Sequence, residues 1–302
     1  MSPIARRNQQ STNKLLRSVS RWPDITNTGP DVAGYTSRTA YTGSMSVAGN
    51  TTITGKNITG VLVINGPNVT IQGCKITGAI QFNAVDMSSS HVLDCDIDAG
   101  RNTDYTINTN SCTGGLDVRR NNMYNTASDG LQLSTGAHQI IGNWIHDIIP
   151  TPGAHLDMIQ WWDGLTPVGA ITRIINNTIT HNGTADTTAS LSLSANSPTD
   201  YYHDYIVDNN LLGGCTFVAQ VMYNGGSSPR PSNNLTFTNN QFWTSSAFAY
   251  GGLFYTPSAP YQLAVWGTSP NNNVWRGNVW HDGPSQGKYI YPNETTNSTD
   301  FM

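Results

Sequence analysis

The sequence predicts an all-β solenoid, a stack of coils in which short parallel strands repeat around one axis. Three observations predict this fold class: a motif that recurs nine times, a second series of strands between its copies, and a composition unsuited to long helices. In such a fold each coil stacks on the previous one at the strand spacing of about 4.8 Å.

The recurring motif reads apolar, two residues, Asn or Cys, one residue, apolar. Its fourth position is occupied by Lys56, Cys74, Cys95, Asn121, Asn143, Asn177, Asn210, Asn240 and Asn278. Asn tolerates left-handed dihedrals at turns, and stacked Asn side chains can hydrogen-bond along an axis. We therefore expect a structural ladder of turns. The apolar residues that open most of the copies should fill the lumen: Ile71, Val92, Val118, Ile140, Ile174, Val207, Phe237 and Trp275.

Between these copies lies the second series, in which apolar and polar residues alternate. Such alternation is typical of strands with one buried face. Its members occupy residues 61–64, 79–82, 130–133, 157–161, 191–194 and 216–220. Two or three short strands per repeat therefore describe a parallel β-solenoid.

Composition and charge exclude several other classes of protein. Only 11% of the residues are charged, with one Glu and four Lys, too few for the faces of long amphipathic helices. This excludes an α-helical bundle and disfavours a doubly wound α/β enzyme. No apolar stretch is long enough to insert into a membrane. A net charge of −4 and a pI near 5.9 argue against a nucleic-acid partner.

The four cysteines show no CxxC or CxxH spacing, which argues against a zinc site. We expect buried thiols. A disulfide between Cys74 and Cys95 remains an alternative if the fold brings them together.

Several segments carry a family resemblance. They are WPDITNTG at 22–29, YTG at 41–43, GVLVINGPNVTIQGCKI at 60–76 and GNVW at 277–280. With them the chain resembles the right-handed parallel β-helix, or pectate-lyase-like, superfamily, and within it β-helix proteins of actinobacteria and their phages. The resemblance implies a right-handed parallel β-helix of about nine or more coils. It does not imply one activity, because this fold hosts lyases, hydrolases, epimerases and inert scaffolds.

We divide the chain into four regions: a basic N-terminal anchoring arm at 1–21, a cap with the first coil at 22–50, the parallel β-helix at 51–285, and a C-terminal tail or cap at 286–302. The extended arm lacks the apolar segment of a secretory signal. Its basic residues, which we expect to dock the β-helix onto a neighbouring chain, are Arg6, Arg7, Lys14, Arg17 and Arg21.

The candidate catalytic residues are Asp129, Asp157 and His155. SDGLQL at 128–133 and LDMIQW at 156–161 lie 28 residues apart, about one coil, so Asp129 should stack on Asp157 and Gln132 on Gln160. Carboxylates on adjacent coils would lie about 5 Å apart, as in retaining glycosidases. Mutual repulsion would raise one pKa and leave a proton donor beside a base. The alternative interpretation is that these side chains satisfy turn backbones, as Asn does elsewhere.

Candidate carbohydrate contacts are Gln132, Gln160, Trp144, Trp161 and Trp162, since sugars stack on aromatic rings. HLDMIQ at 155–160 also resembles the His-x-Asp-Gly-Ile-Gln segment of related actinobacterial β-helices. No cofactor and no metal site are predicted. Asp94, Asp96 and Asp98 alternate on a predicted strand, and we interpret them as one solvated outward face rather than as a cation site.

Three functions compete. The one we favour is a phage virion protein of the minor tail or tailspike type, anchored to other virion proteins by its arm and touching host surface polysaccharide. A signal-free, extracellular-style solenoid fits the phage particle, because phage proteins leave the cell by lysis. The alternatives are a polysaccharide hydrolase or lyase that uses the Asp pair, and a scaffold or decoration protein without a ligand. The resemblance also leaves a homotrimer open.

Overall fold

The computed structural model describes residues 22–83, 86–149, 156–162, 169–181, 187–195, 203–215, 217–223, 233–243, 252–254 and 272–290. In these residues all regular structure is β, and the strands form three parallel sheets of ten, nine and nine strands. Each strand pairs with the strand three places later in the chain, so every coil contributes one strand to each sheet. The protein is a parallel β-solenoid of about nine coils, which confirms the predicted fold class.

The strands are numbered β1 to β28 in chain order, and the sheets are called A, B and C. Sheet A contains β1 (Thr39–Ala40), β4 (Lys56–Thr59), β7 (Lys75–Thr77), β10 (Asp96–Asp98), β13 (Asn122–Tyr124), β16 (Trp144–His146), β19 (Thr178–Thr180), β22 (Leu211–Gly213), β25 (Gln241–Trp243) and β28 (Val279–Trp280). Sheet B contains β2 (Ser46–Val47), β5 (Leu62–Ile64), β8 (Ile80–Phe82), β11 (Ile107–Asn108), β14 (Leu131–Leu133), β17 (Leu156–Trp162), β20 (Thr187–Ala195), β23 (Phe217–Tyr223) and β26 (Gly252–Phe254). Sheet C contains β3 (Thr52–Thr54), β6 (Thr70–Gln72), β9 (Ser90–Leu93), β12 (Leu116–Arg119), β15 (Gln139–Ile141), β18 (Thr172–Ile175), β21 (His203–Asp208), β24 (Asn233–Thr238) and β27 (Val274–Arg276).

The apolar ladder predicted from the repeat is the inner face of sheet C. Its members pair in register from Ile71 through to Trp275. All of them are buried except Trp275, which is partly buried and packs on Phe237 and Phe242. Because successive side chains of a strand point to opposite faces, this register also sends the intervening polar residues outward.

A two-residue corner joins sheet C to sheet A in every coil from β6 onward. Its second residue is the predicted Asn ladder. Asn143 Nδ2, for example, donates to Asn177 Oδ1 at 3.0 Å and to the carbonyl of Val118 at 2.9 Å. Asn143 Oδ1 accepts the backbone N–H and the side-chain amide of Asn121. The same pattern continues through Asn278, so the structural role predicted for these Asn residues is confirmed.

The left-handed residue of the corner lies one position earlier than the sequence suggested. The first corner residue has φ between +54° and +71°, whereas the ladder Asn does not have positive φ. These first residues are Gly73, Asp94, Arg120, Gly142, Asn176, Asn209, Asn239 and Gly277. The ladder Asn is therefore selected for its hydrogen bonds between coils, and the preceding residue supplies the turn.

Longer connections enter and leave the strands of sheet B. Nine residues (147–155) separate β16 from β17, nine (163–171) separate β17 from β18, and nineteen (255–273) separate β26 from β27. The corner between sheets C and A shows no such variation. Insertions in this solenoid are therefore confined to the two sides of sheet B.

Residues 22–38 lie along the corner between sheets C and A rather than at the end of the solenoid. The N–H of Gly29 donates to the carbonyl of Arg120 on the fourth coil at 2.9 Å. Further along, the ring of Tyr35 packs on Gly73, where an added Cβ would lie 2.3 Å from the ring. At the other end, Ile290 is buried against the last coil, and its carbonyl accepts a bond from Trp275 Nε1.

The four cysteines are buried thiols, as predicted. Cys74 and Cys95 occupy equivalent corner positions on neighbouring coils, at the start of the ladder that Asn121 continues. Among the described residues, no helix is long and apolar enough to cross a membrane.

Candidate functional site

The outer face of sheet B holds the acid and amide residues that the sequence singled out. Strands β14 and β17 pair so that Gln132 lies beside Gln160, as expected from their spacing. Three positions earlier in each strand segment, the backbone N–H of Asp157 donates to Asp129 Oδ1 at 2.8 Å. The carboxylate of Asp129 therefore lies against the backbone of Asp157 on the next coil. We call Asp129, Gln132, Asp157 and Gln160 the acid–amide stack.

Each acid is held by the amide of its own coil. Gln132 Nε2 donates to Asp129 Oδ2 at 2.6 Å, and Gln160 Nε2 donates to Asp157 Oδ2 at 3.1 Å. The carboxylates thus accept local donors, which is the arrangement that the structural interpretation of these residues predicts.

Burial dominates the electrostatics of the stack. Asp129 is 3% exposed and Asp157 is fully buried. Burial raises the pKa of Asp157 to about 7, while hydrogen bonds from Ser192, Gln160 and the Ala189 backbone oppose the shift. The raised pKa matches the direction predicted from the sequence, but its main cause is loss of water rather than repulsion by Asp129. The stack can hold a proton near neutral pH, yet neither acid offers an accessible oxygen to a polymer.

A row of amides continues along the outer face of sheet B on both sides of the stack. Gln81, Asn108, Gln132 and Gln160 occupy one register position on successive coils, and Ser192 follows. Gln81 and Gln132 are partly exposed. The hydroxyl of Tyr105 donates to Gln81 Oε1 at 3.1 Å, so this row also has an aromatic neighbour.

The other predicted site residues do not join this face. Trp161 is fully buried in the lumen, edge-on to Tyr205 and His138, so it has no surface for a sugar. Trp144 is on the outer face of sheet A, a different sheet from the stack. His155, the side chain of Trp162 and the arm at 1–21 lie outside the described residues.

The three acids of DCDID do not share one face, contrary to the expectation. Asp96 and Asp98 point outward from β10, but Asp94 is in the corner with φ of +54° and forms an ion pair with Arg120. Because Asp94 itself has this left-handed conformation, its side chain points away from the strand face. No cluster of three potential metal ligands occurs among the described residues.

A polar network centred on His146 lies on the outer face of sheet A. Its Nδ1 is 2.8 Å from Asp147 Oδ2, and its Nε2 is 2.8 Å from Asn122 Oδ1. Asn122 Nδ2 in turn donates to Asp96 Oδ1 at 3.2 Å. Burial lowers the pKa of His146, and Asp147 opposes that shift. Asp96, Asn122 and His146 occupy outward positions on successive strands of sheet A.

Comparison with known proteins identifies no relative: no family model, no curated protein and no solved structure matches this chain. The parallel solenoid and the geometry of its faces therefore carry the functional argument.

Proposed function

We propose that this chain is a β-helix component of a bacteriophage particle that binds host-envelope glycans through the outer face of sheet B. The observation that carries the proposal is the amide row from Gln81 to Gln160, which lies between connections of variable length. In solenoid proteins, insertions gather on one face, and this face is often the one that binds.

The chemistry of the row suits a sugar chain. An amide side chain carries two donors and one acceptor oxygen, and so matches hydroxyl groups that both donate and accept. The buried acids brace the amides from behind, since Asp129 and Asp157 each accept a bond from their own Gln. A braced donor loses less conformational entropy when a ligand binds.

Placement in a phage particle, as a minor tail or tailspike type of pectate-lyase-like β-helix, draws on two further observations. Segments 22–29 and 60–76 resemble actinobacterial and phage β-helix proteins, and the composition is poor in Lys and Glu. Immunogold labelling of purified phage particles tests it. Labelled particles are expected, and unlabelled particles from a phage that expresses the chain would remove the virion assignment.

Glycan binding is tested by calorimetry with soluble polysaccharide from actinobacterial cell walls. Wild type is compared with Gln132→Ala and with Gln139→Ala, which removes an outward Gln from sheet C. We expect Gln132→Ala to weaken binding about tenfold, the effect of one well-placed hydrogen bond, and Gln139→Ala to match wild type. Equal binding by all three proteins would exclude the sheet B row.

A polysaccharide hydrolase is the second candidate, favoured by the Asp157 pKa of about 7. A carboxyl that keeps its proton at neutral pH can act as a general acid once a bound sugar chain displaces the Gln160 amide that covers it. The same polysaccharide is assayed for new reducing ends or unsaturated products, with Asp157→Asn beside wild type. Products from wild type alone would establish a depolymerase. Binding without product would leave a receptor-binding protein.

A further inference from the structure

The outer face of sheet A carries two aromatic groups, separated by two strands whose outward residues are neither aromatic nor charged. The first is Trp144, whose ring stacks on His146 with centroids 3.5 Å apart and planes 14° from parallel. The second is Trp243 with His281 beside it on the next coil, where His281 Nδ1 lies 2.7 Å from Gln241 Oε1. Strands β16 and β25 are three strand spacings apart, about 14 Å.

The surface between the two groups is formed by β19 and β22, whose outward residues are Thr178, Thr180, Leu211 and Gly213. Trp243 pairs with Gly213, where an added Cβ would lie 2.5 Å from the Cβ of Trp243, so no larger residue fits without a shift. These positions carry no Lys, Arg, Asp or Glu. We call the surface from Trp144 to Trp243 the sheet A trough.

One hydroxyl at the floor of the trough is not satisfied by the protein. Thr178 is 6% exposed, and its Oγ1 is buried without a hydrogen-bond partner among the described residues. A buried hydroxyl without a partner destabilises the folded state, so its presence at an outward position needs an explanation. A ligand hydroxyl that reaches Thr178 Oγ1 would supply the partner.

We propose that the sheet A trough binds a neutral linear glycan laid along the solenoid axis. Indole rings offer flat apolar surface to the C–H faces of sugar rings. The Thr side chains between them, and Gln241 on the strand of Trp243, offer hydrogen bonds to sugar hydroxyls. The absence of charged residues at these outward positions matches an uncharged polysaccharide chain. The proposal rests on the proposed function for its ligand class only, because it concerns a different sheet from the acid–amide stack.

The test is hydroxyl-radical footprinting and calorimetry of the full chain with two neutral probes, cellohexaose and maltohexaose, beside soluble actinobacterial cell-wall polysaccharide. The variants are Trp144→Ala and Trp243→Ala, with Tyr41→Ala as the control that removes a ring from the first coil. Circular dichroism checks that each variant is folded. We expect ligand to protect Trp144 and Trp243 from oxidation, and each Trp variant to bind about tenfold more weakly.

The outcomes separate the two proposals when Gln132→Ala is run in parallel. Protection confined to sheet B, with loss of binding only in Gln132→Ala, would overturn the trough and retain the sheet B site. Protection of Trp144 and Trp243 with normal binding by Gln132→Ala would support the trough and remove the sheet B site. Wild type that binds none of the three probes would overturn both.

Discussion

Replacing Asp157 with Asn should remove a loss of folding stability that wild type undergoes as the pH rises. Burial raises the pKa of Asp157 to about 7, whereas an Asp in an unfolded chain titrates near 3.9. Between these two values the folded state holds a proton that the unfolded state releases. Wild-type stability from this group is therefore fully present below about pH 4 and is lost as the pH rises through about 7.

The magnitude follows from the shift. About three pH units at 1.36 kcal/mol each give roughly 4 kcal/mol, lost with a slope near 1.4 kcal/mol per pH unit. Asn has nearly the same shape and stays neutral. We expect Asp157→Asn to be comparable to wild type near pH 4.5 and to be several kcal/mol more stable than wild type above pH 7.5.

Urea denaturation followed by tryptophan fluorescence, from pH 4.5 to 8.5, measures this difference. At each pH, the free energy of unfolding of wild type is subtracted from that of Asp157→Asn. The difference isolates residue 157, because His138, whose pKa burial lowers to about 4, contributes equally to both proteins. Asp31→Asn, at an exposed acid paired with Arg38 in the N-terminal segment, is the control for the loss of one surface carboxylate. A difference between Asp157→Asn and wild type that stays constant across this range would refute the assignment of a raised pKa to Asp157.

Three further predictions concern stability. Asn177→Ala should lower the free energy of unfolding, measured by urea denaturation, by about 2–6 kcal/mol, because the backbone N–H and the side-chain amide of Asn143 both lose their acceptor. A loss below about 1 kcal/mol would contradict a continuous ladder. Gly142→Asn should melt close to wild type, since Gly142 has φ of +70° and an added Cβ comes no closer than 3.6 Å to a neighbour. Gly78→Ala should lower the melting temperature sharply because its Cβ would lie 2.1 Å from a carbonyl oxygen, and equal melting of the two variants would contradict this contrast. Trp161→Ala should cost about 3–5 kcal/mol in urea yet leave glycan affinity of the folded protein unchanged, and lost affinity would mean that the ring contacts ligand.

The repeat predicted the solenoid well because each coil contacts only its neighbours. The inner residue of sheet C, the corner and the inner residue of sheet A recur within six positions, so a local pattern was sufficient to place Ile140, Asn143 and Ile145. The stacking of Gln132 on Gln160 followed from the same period. Spacing alone could not show that the acid beside each Gln is buried.

Predictions about single side chains were wrong where a corner, or the alternation of side chains along a strand, places the residue on a different face from the one expected. Asp94 was assigned to the strand face, but the left-handed corner turns it toward Arg120. Trp161 was grouped with surface rings, although its strand alternation places it inward beside Leu133. Trp144 was grouped with the carbohydrate contacts Gln132 and Gln160, although it belongs to the sheet that follows the corner.

The sequence by itself determined the class of fold, the lumen ladder and the Asn corner, because these depend on periodicity and on contacts between adjacent coils. The tertiary structure alone decided that Asp129 and Asp157 are buried and that Trp144 and Trp243 share the outer face of sheet A. The physical reason is that exposure and face depend on how three sheets close around the lumen. The stacking of the coils places Trp144 and Trp243, about a hundred positions apart in the chain, three strand spacings apart on one sheet.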